Sequence, residues 1–274
     1  MVTAPAKTDW AIKLFNRSVL KQAKFKQIIE LLVDPRGRTN LDIGGDNGVI
    51  SYLLRQRGGH WVSADLDPNT VTAIRELVGS DVYQIDGGAT PFPDRTFDQI
   101  VIVDFLEHIP DDRGFVRELA RITKPDGTLI INVPHLKPGS LLNRFRHRIG
   151  LTDEWHGHLR PGYDLAGLRR LIEPAFQIER ATTYSGSFSE LVDTALNGFY
   201  VARQRRRHGD RVSRKGTVVT RNDLEKHKKE FLLLSALYPA LWSTAKLDRA
   251  LPQSGYKLIV RARLVRPAET EAHG

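Results

Sequence analysis

The hydrophobic positions divide the chain into stretches of different character. Over residues 9–32 the apolar side chains recur every three or four positions, which is typical of helix faces and predicts one or two helices. From residue 40 to about residue 134, short apolar runs alternate with helical patterns, which predicts a doubly wound α/β fold with a mostly parallel sheet. The predicted strands of this part are 39–43, 61–64, 82–85, 100–103 and 128–133.

The pattern beyond residue 134 is weaker. It predicts a helix over 165–172 and two more strands, 177–183 and 256–265, which gives seven strands in all. About seventy residues separate these last two strands, more than a connection needs. We therefore expect a helical lead over 1–38, an α/β core over 39–185, a helical insertion over 186–253, a final core strand within 254–266 and a disordered tail over 267–274.

Composition excludes several classes of protein. The 274-residue chain has no cysteine, so disulfides, thiolate metal sites and cysteine nucleophiles are excluded. Its first fifteen residues lack the apolar core of a secretory signal, which favours a cytoplasmic location. The net charge is +9, and residues 203–230 alone carry eleven Lys and Arg against four Asp and Glu. One segment therefore makes the protein basic.

The basic segment is followed by an uncharged stretch over 231–245. A membrane-spanning helix needs about twenty apolar residues, and Pro239 interrupts this shorter one. Flanking lysines, with Tyr238 and Trp242 inside, suit a peripheral contact with an anionic membrane surface. The preferred alternative is a helix pair that covers the sheet or forms a dimer contact. Nucleic acid is a disfavoured partner, because the basic segment has few aromatic residues for stacking on bases.

A glycine-rich turn follows the first predicted strand. Residues 44–48 read GGDNG, and glycines let the backbone bend sharply and approach a ligand closely. The second strand ends at Asp65, where an acid can accept both hydroxyls of a ribose. Asp67 precedes Pro68 and is expected to cap a helix. The turn lacks the G-x-G-x-x-G spacing of nicotinamide enzymes, and Asp42 suits an ammonium group, so a sulfonium cofactor is favoured.

Four segments resemble the class I S-adenosylmethionine-dependent methyltransferases, especially the branch that acts on small molecules and lipids. They are LDIGGDNG, VSADLDP, QIDGGATPFPDRTFDQIVIVDFLEHI and ELARITKPDGTLIINVPH. The resemblance implies S-adenosyl-L-methionine as the cofactor, with Asp42 facing its amino-acid end, Asp65 its ribose and Asp86 its adenine. The implied cofactor-binding residues are Asp42, Gly44, Gly45, Gly48, Asp65, Leu66, Asp86, Gly87 and Asp104. One departure is Asp46, which stands where the family usually has its middle glycine.

Methyl transfer requires a positioned nucleophile and, where that nucleophile must lose a proton, a base. His108 and His158 are the candidate catalytic bases, and His108 has an equally weighted alternative as a packing residue beside the cofactor. The expected substrate-binding residues are His135, His156, Arg160 and Tyr163. The H-x-H pair at 156 and 158 has no carboxylate and third ligand nearby in the sequence, so no metal site is predicted.

These features predict an S-adenosylmethionine-dependent methyltransferase with a small-molecule or lipid-like acceptor, methylated at oxygen. The alternative is a non-catalytic peripheral membrane or partner-binding module of the same fold, in which Asp46 has led to loss or reuse of the cofactor site.

Overall fold

A computed structural model describes residues 9–45, 47–208, 238, 242–243, 246–248 and 254–265. Two helices, α1 (Asp9–Phe15) and α2 (Val19–Leu31), precede the sheet. The parallel part of the fold contains β1 (Thr39–Ile43), α3 (Val49–Arg55), β2 (His60–Asp65), α4 (Pro68–Val78), β3 (Val82–Gln84), β4 (Phe97–Val103), a 3₁₀ turn (Leu106–His108), α5 (Asp112–Ile122) and β5 (Thr123–Pro134). It is followed by α6 (Leu141–Arg148), α7 (Asp153–His156), α8 (Leu165–Ile172), β6 (Phe176–Tyr184), α9 (Ser187–His208) and β7 (Lys257–Leu264).

The seven strands of the described residues form one sheet in the order β3-β2-β1-β4-β5-β7-β6. Strands β1 to β5 are parallel, and β7 is antiparallel to both of its neighbours. The predicted fold class is confirmed. Because the chain moves outward from β1 in one direction through β3 and then crosses to β4, a crevice opens between the carboxyl ends of β1 and β4, where such folds bind ligands.

Both faces of the sheet are covered, and the alternation along β4 shows it. Ile100 and Ile102 belong to the larger apolar cluster with α5 and α8, whereas Val101 and Val103 belong to the cluster formed with α2 and α3. All four side chains are buried. Strands covered on both faces read as unbroken apolar runs, which is why the sequence pattern located them so closely.

The first part of the predicted insertion is the helix α9. Residues 209–237 and the tail 267–274 lie outside the described residues, so most of the predicted basic segment, most of the uncharged stretch and the disordered tail stay predictions, whereas residues 203–208 are the last of helix α9. Among the described residues, no helix combines the length and the apolar character needed to cross a bilayer.

Candidate active site

The turn after β1 is held tightly against its neighbours. Gly44 has a φ of +85°, and a Cβ there would lie 2.1 Å from the carbonyl oxygen of Val103. Gly48 has a φ of +84°, and its Cβ would lie 2.9 Å from Cα of Ile74. These glycines are therefore required by backbone conformation and by packing against β4 and α4. Asp46 lies outside the described residues, so its effect on a cofactor is untested.

Asp42 is fully buried beneath this turn. Its carboxylate accepts hydrogen bonds from the hydroxyls of Ser51 and Ser63, the second at 2.8 Å, and Arg55 Nη1 lies 3.5 Å away. Burial raises the pKa of Asp42, whereas Arg55 and the two hydroxyls act in the opposite direction. The side chain thus fastens α3 to β1 and β2, and its implied role toward an ammonium group stays a prediction.

The acids after β2 and β3 occupy the same edge of the sheet. Strand register pairs Asp65 with Gln84, so Asp65 and the nearby Asp86 both follow the carboxyl ends of adjacent strands. Asp65 Oδ1 accepts the backbone N–H of Asp67 at 3.1 Å, and Leu66 packs against the larger apolar cluster. Asp67 caps α4 by accepting from the N–H groups of Asn69 and Thr70, which confirms its predicted structural role.

A buried amide beside the glycine turn is unsatisfied. Asn47 is 5% exposed, and its Nδ2 has no hydrogen-bond partner among the described residues. A buried donor without a partner is costly, so such groups in native proteins generally have a ligand or water partner. Asn47 Nδ2 would suit the carboxylate of an amino acid. The turn therefore fits a cofactor whose amino-acid end lies beside β1.

Asp104, directly after β4, anchors a charged network. Its φ is +45°, and its carboxylate contacts Lys24 of α2, Lys257 Nζ at 3.0 Å and Asn132 Nδ2 at 3.1 Å. Burial alone would raise the pKa of Asp104, but the two ammonium groups outweigh it and hold that pKa well below the usual range. Burial likewise opposes the charge of Lys257, yet Asp104 raises the pKa of this lysine above its ordinary value.

Glu107 lies one turn further, on the 3₁₀ segment, in very different surroundings. Its side chain is buried, and neither carboxylate oxygen has a hydrogen-bond partner among the described residues. Burial, reinforced by the charge of Asp104, raises the pKa of Glu107 to about 8. An acid with such a displaced pKa is a common mark of a functional site.

The structure brings the two candidate bases together across fifty residues of sequence. The ring centroids of His108 and His158 are 5.0 Å apart, and His156 stacks on His158 at 5.2 Å. His108 Nδ1 lies 2.9 Å from the carbonyl oxygen of Gly157. Because a carbonyl oxygen can only accept, Nδ1 of His108 carries the proton in the neutral ring. Glu107, His108 and His158 form one cluster.

The other predicted substrate residues form a second group. Arg160 Nη1 donates to Asp112 Oδ2 at 2.7 Å, and the Tyr163 hydroxyl donates to the same oxygen at 2.8 Å. His135 forms an isolated bridge with Tyr163, and its Nδ1 lies 2.8 Å from the carbonyl oxygen of Gly255. Arg160 and Tyr163 therefore fasten the loop before α8 to α5, and their contact with an acceptor stays a prediction.

A cleft of about 350 Å³ borders the predicted adenine-binding loop. It lies between residues 87–89 and α5, with Arg117, Glu118 and Arg121 on its far wall. Of the predicted cofactor residues it includes only Gly87. The cleft is thus an extension of the candidate site at its β3 end rather than its centre.

Sequence reasoning missed four residues of this edge: Lys24, Glu107, Asn132 and Lys257. Lys24 and Lys257 lie 80 and 153 residues from Asp104 in the chain, so no local pattern could pair them. Glu107 did carry a signal, since it is an acid between apolar residues directly before His108.

Comparison with known proteins supports the predicted resemblance over the parallel part of the sheet. Residues 41–131, about a third of the chain, match the family model described as a methyltransferase domain. The resemblance to the class I S-adenosylmethionine-dependent methyltransferases is thereby confirmed.

Individual relatives agree with that match. An uncharacterized methyltransferase of Mycobacterium sp. (strain KMS) is 31% identical over 99 residues, 36% of this chain and 39% of that protein. A ubiquinone biosynthesis O-methyltransferase of Pseudomonas paraeruginosa is 30% identical over 113 residues, 39% of this chain and 48% of that protein. The chain thus spans less than half the length of these two relatives. A structure described as a putative sarcosine dimethylglycine methyltransferase from Galdieria sulphuraria shares the fold, with 17% identity, a TM-score of 0.55 and coverage of 89% and 86% of the two chains.

Proposed function

We propose that this protein transfers a methyl group from S-adenosylmethionine to a hydroxyl of a small or lipid-like acceptor. The family match and the fold support the reaction class. The unsatisfied amide of Asn47 beside the glycine turn carries the proposal, because it is a buried donor that the described residues leave without an acceptor. The relative named as an O-methyltransferase of ubiquinone biosynthesis supports oxygen as the atom methylated and a quinone-related small molecule as the acceptor.

Different residues at the carboxyl edge of the sheet would bind different parts of the cofactor. The turn at Gly44, Gly45 and Gly48, with Asn47, would hold the amino-acid end, and Asp65 with Leu66 would hold the ribose. Asp86 and Gly87 would border the adenine, and the backbone at Asp104 would face the methionine chain. Bound in this way, S-adenosylmethionine supplies a methyl group activated by a positively charged sulfur.

The acceptor is expected on the side of the 3₁₀ segment. His108 and His158 lie beside each other there, and Nδ1 of His108 donates to the carbonyl oxygen of Gly157. A ring fixed in one tautomer leaves Nε2 as the acceptor for a proton from an incoming hydroxyl. We assign the role of general base to Nε2 of His108, and the ring of His158 packs beside it.

The proposal is tested by titrating the full chain with S-adenosylmethionine and S-adenosylhomocysteine in a calorimeter. Asp65→Ala is expected to weaken binding by at least about tenfold, since hydrogen bonds to a charged group contribute about 1.5–3 kcal/mol. Glu76→Ala removes an exposed acid of α4 and serves as the matched control. Absence of binding to the wild-type chain would favour the non-catalytic alternative.

The acceptor class is tested by transfer of a labelled methyl group to a panel of phenols and hydroquinones. His108→Ala is expected to reduce the rate about 100-fold, the low end of what a general base contributes, without changing cofactor affinity. Equal rates for the variant and the wild type would dismiss His108 as the base.

Contact with an anionic membrane surface is a separate part of the proposal. It is supported by the uncharged stretch 231–245 with its flanking lysines. Lys246, directly after this stretch, places its Nζ 3.7 Å from the centroid of the Trp242 ring. Flotation with vesicles that contain anionic lipid should carry the protein upward, whereas neutral vesicles should not. Recovery in the soluble fraction with both would remove this part.

A further inference from the structure

Glu107, His108 and His158 have the composition of a metal site. Each offers one ligand atom, a carboxylate oxygen or a ring nitrogen, and these three atoms lie within 4.8 Å of one another. Ligand atoms around a single zinc ion are about 3.4 Å apart, so modest side-chain rotation would close the set. Two imidazoles and one carboxylate are a ligand set that binds zinc, iron or manganese and leaves open positions on the ion.

We propose that these three side chains bind one divalent transition-metal ion. The strongest observation is Glu107, whose side chain is 0% exposed and whose two oxygens have no hydrogen-bond partner among the described residues. A buried carboxyl group whose two oxygens have no hydrogen-bond partner is costly, and a bound cation would give them one. The nearby ammonium groups of Lys24 and Lys257 contact Asp104 instead, and among the described residues no lysine or arginine forms an ion pair with Glu107.

One of the two histidines, His108, is held in the manner of a metal ligand. A ligating histidine usually donates its other ring N–H to an oxygen outside the metal's own shell, which fixes the ring. His108 does so, with Nδ1 2.9 Å from the carbonyl oxygen of Gly157. His158 has a carboxylate near the same ring atom, since Asp153 Oδ1 lies 3.9 Å from its Nδ1.

The two chain segments that carry the ligands are also fastened to each other. The backbone N–H of Leu159 donates to the carbonyl oxygen of Glu107 at 2.9 Å. Arg160 Nη1 donates to the carbonyl oxygen of Leu106 at 3.0 Å. The residue after His158 is thus bonded to Glu107 itself, so the relative position of the ligands does not depend on an ion. A prearranged set of this kind binds a metal without first ordering a loop.

The use of the ion rests on the proposed function, whereas its binding does not. A ring nitrogen that binds an ion cannot accept a proton, so with the ion bound the acceptor hydroxyl would be activated by the cation and not by His108. A divalent cation beside the acceptor lowers the pKa of a hydroxyl group and orients a pair of neighbouring ring oxygens. This would favour acceptors that carry two adjacent oxygens, such as catechols.

The test uses the full chain after treatment with a chelator, titrated with Zn²⁺ in a calorimeter and with Co²⁺ by visible absorption. We expect saturable binding, with the Co²⁺ spectrum showing nitrogen ligands. Glu107→Gln and His158→Ala should each weaken Zn²⁺ binding by at least about tenfold, the lower limit for loss of a group that orients a site. His60→Ala removes an exposed histidine at the start of β2 and should leave this affinity unchanged.

Equal Zn²⁺ affinity for the wild type and both cluster variants would overturn the inference, as would no binding by the wild type. Circular dichroism establishes that each variant is folded, and the Co²⁺ spectrum of His158→Ala gives an independent result if Glu107→Gln is unstable. The same samples are titrated with S-adenosylhomocysteine. Nucleoside binding without metal binding refutes the metal site alone, and metal binding without nucleoside binding refutes the proposed function alone.

Discussion

Asp104 and Glu107 lie three residues apart after the same strand, yet their carboxylates meet opposite surroundings. Asp104 has two ammonium groups and an amide around it, and its pKa is driven below the ordinary range in spite of burial. Glu107 has no hydrogen-bond partner among the described residues, and burial drives its pKa up to about 8. The comparison teaches that a partly buried acid with cationic partners ties elements of the fold together, whereas a fully buried acid without partners is a candidate for binding a ligand.

The largest effect is expected from Asp104→Asn, which leaves the ammonium groups of Lys24 and Lys257 without their counter-ion. The side chains of this network are 15–26% exposed, so the loss of unfolding free energy is expected to be about 2 kcal/mol, between the values for an exposed and a fully buried pair. Urea denaturation monitored by circular dichroism measures this loss. Asp34→Asn removes one side of an exposed pair with Arg36 and should change stability by less than about 1 kcal/mol. Similar losses in the two variants would show that the Asp104 network contributes no more than a surface pair.

The stability that Asp104 contributes is expected to depend on pH. Because the folded-state pKa of Asp104 lies below its ordinary value of 3.8, its stabilisation is complete above about pH 4 and is lost as the pH falls toward the folded-state pKa. The stability difference between the wild type and Asp104→Asn should therefore shrink as the pH falls below 4, by at most about 1.4 kcal/mol per pH unit. Above pH 5 the difference also includes the titration of Glu107, whose pKa the charge of Asp104 raises. A difference that grows on acidification would contradict the assignment.

Glu107→Met is expected to have the opposite sign in chelator-treated protein. It replaces an unpartnered buried carboxyl with an apolar group of similar length, which should raise the unfolding free energy by about 1 kcal/mol. Glu118→Met is the matched control, because that glutamate accepts hydrogen bonds from Arg121 and from both donors of Thr90. Destabilisation of both variants to the same degree would mean that Glu107 has partners that stabilise it.

The smallest effect is expected from Lys24→Met, because Lys257 and Asn132 still hold Asp104. A loss of about 1 kcal/mol is expected, at the upper end for an ion pair open to solvent. Lys26, two residues along α2, forms only an exposed pair with Glu30, and Lys26→Met should have no measurable effect. Indistinguishable melting curves for the two lysine variants would remove α2 from the network.

The sequence could predict the inner strands because β1, β2 and β4 are almost entirely buried and read as short apolar runs, whereas the edge strands β3 and β6 are largely exposed. It could also predict the turn at Gly44 and the cap at Asp67, since both depend on local backbone geometry. It could not predict the Asp104 network or the cluster of Glu107 with His158, because the partners come from distant parts of the chain and meet only when the sheet is assembled. The reason for the glycines also required the structure, since it lies in their contact with β4 and α4.

The central claim is that the carboxyl edge of β1, β2 and β3 binds an adenosyl cofactor. Hydrogen–deuterium exchange of the full chain, with and without S-adenosylhomocysteine, tests both the binding and its location. The account predicts slower exchange in the peptides that contain Gly44 to Gly48, Asp65 to Asp67 and Asp86 to Gly88, and no change in β6. Unchanged exchange at these three turns, or protection confined to other elements, would contradict it.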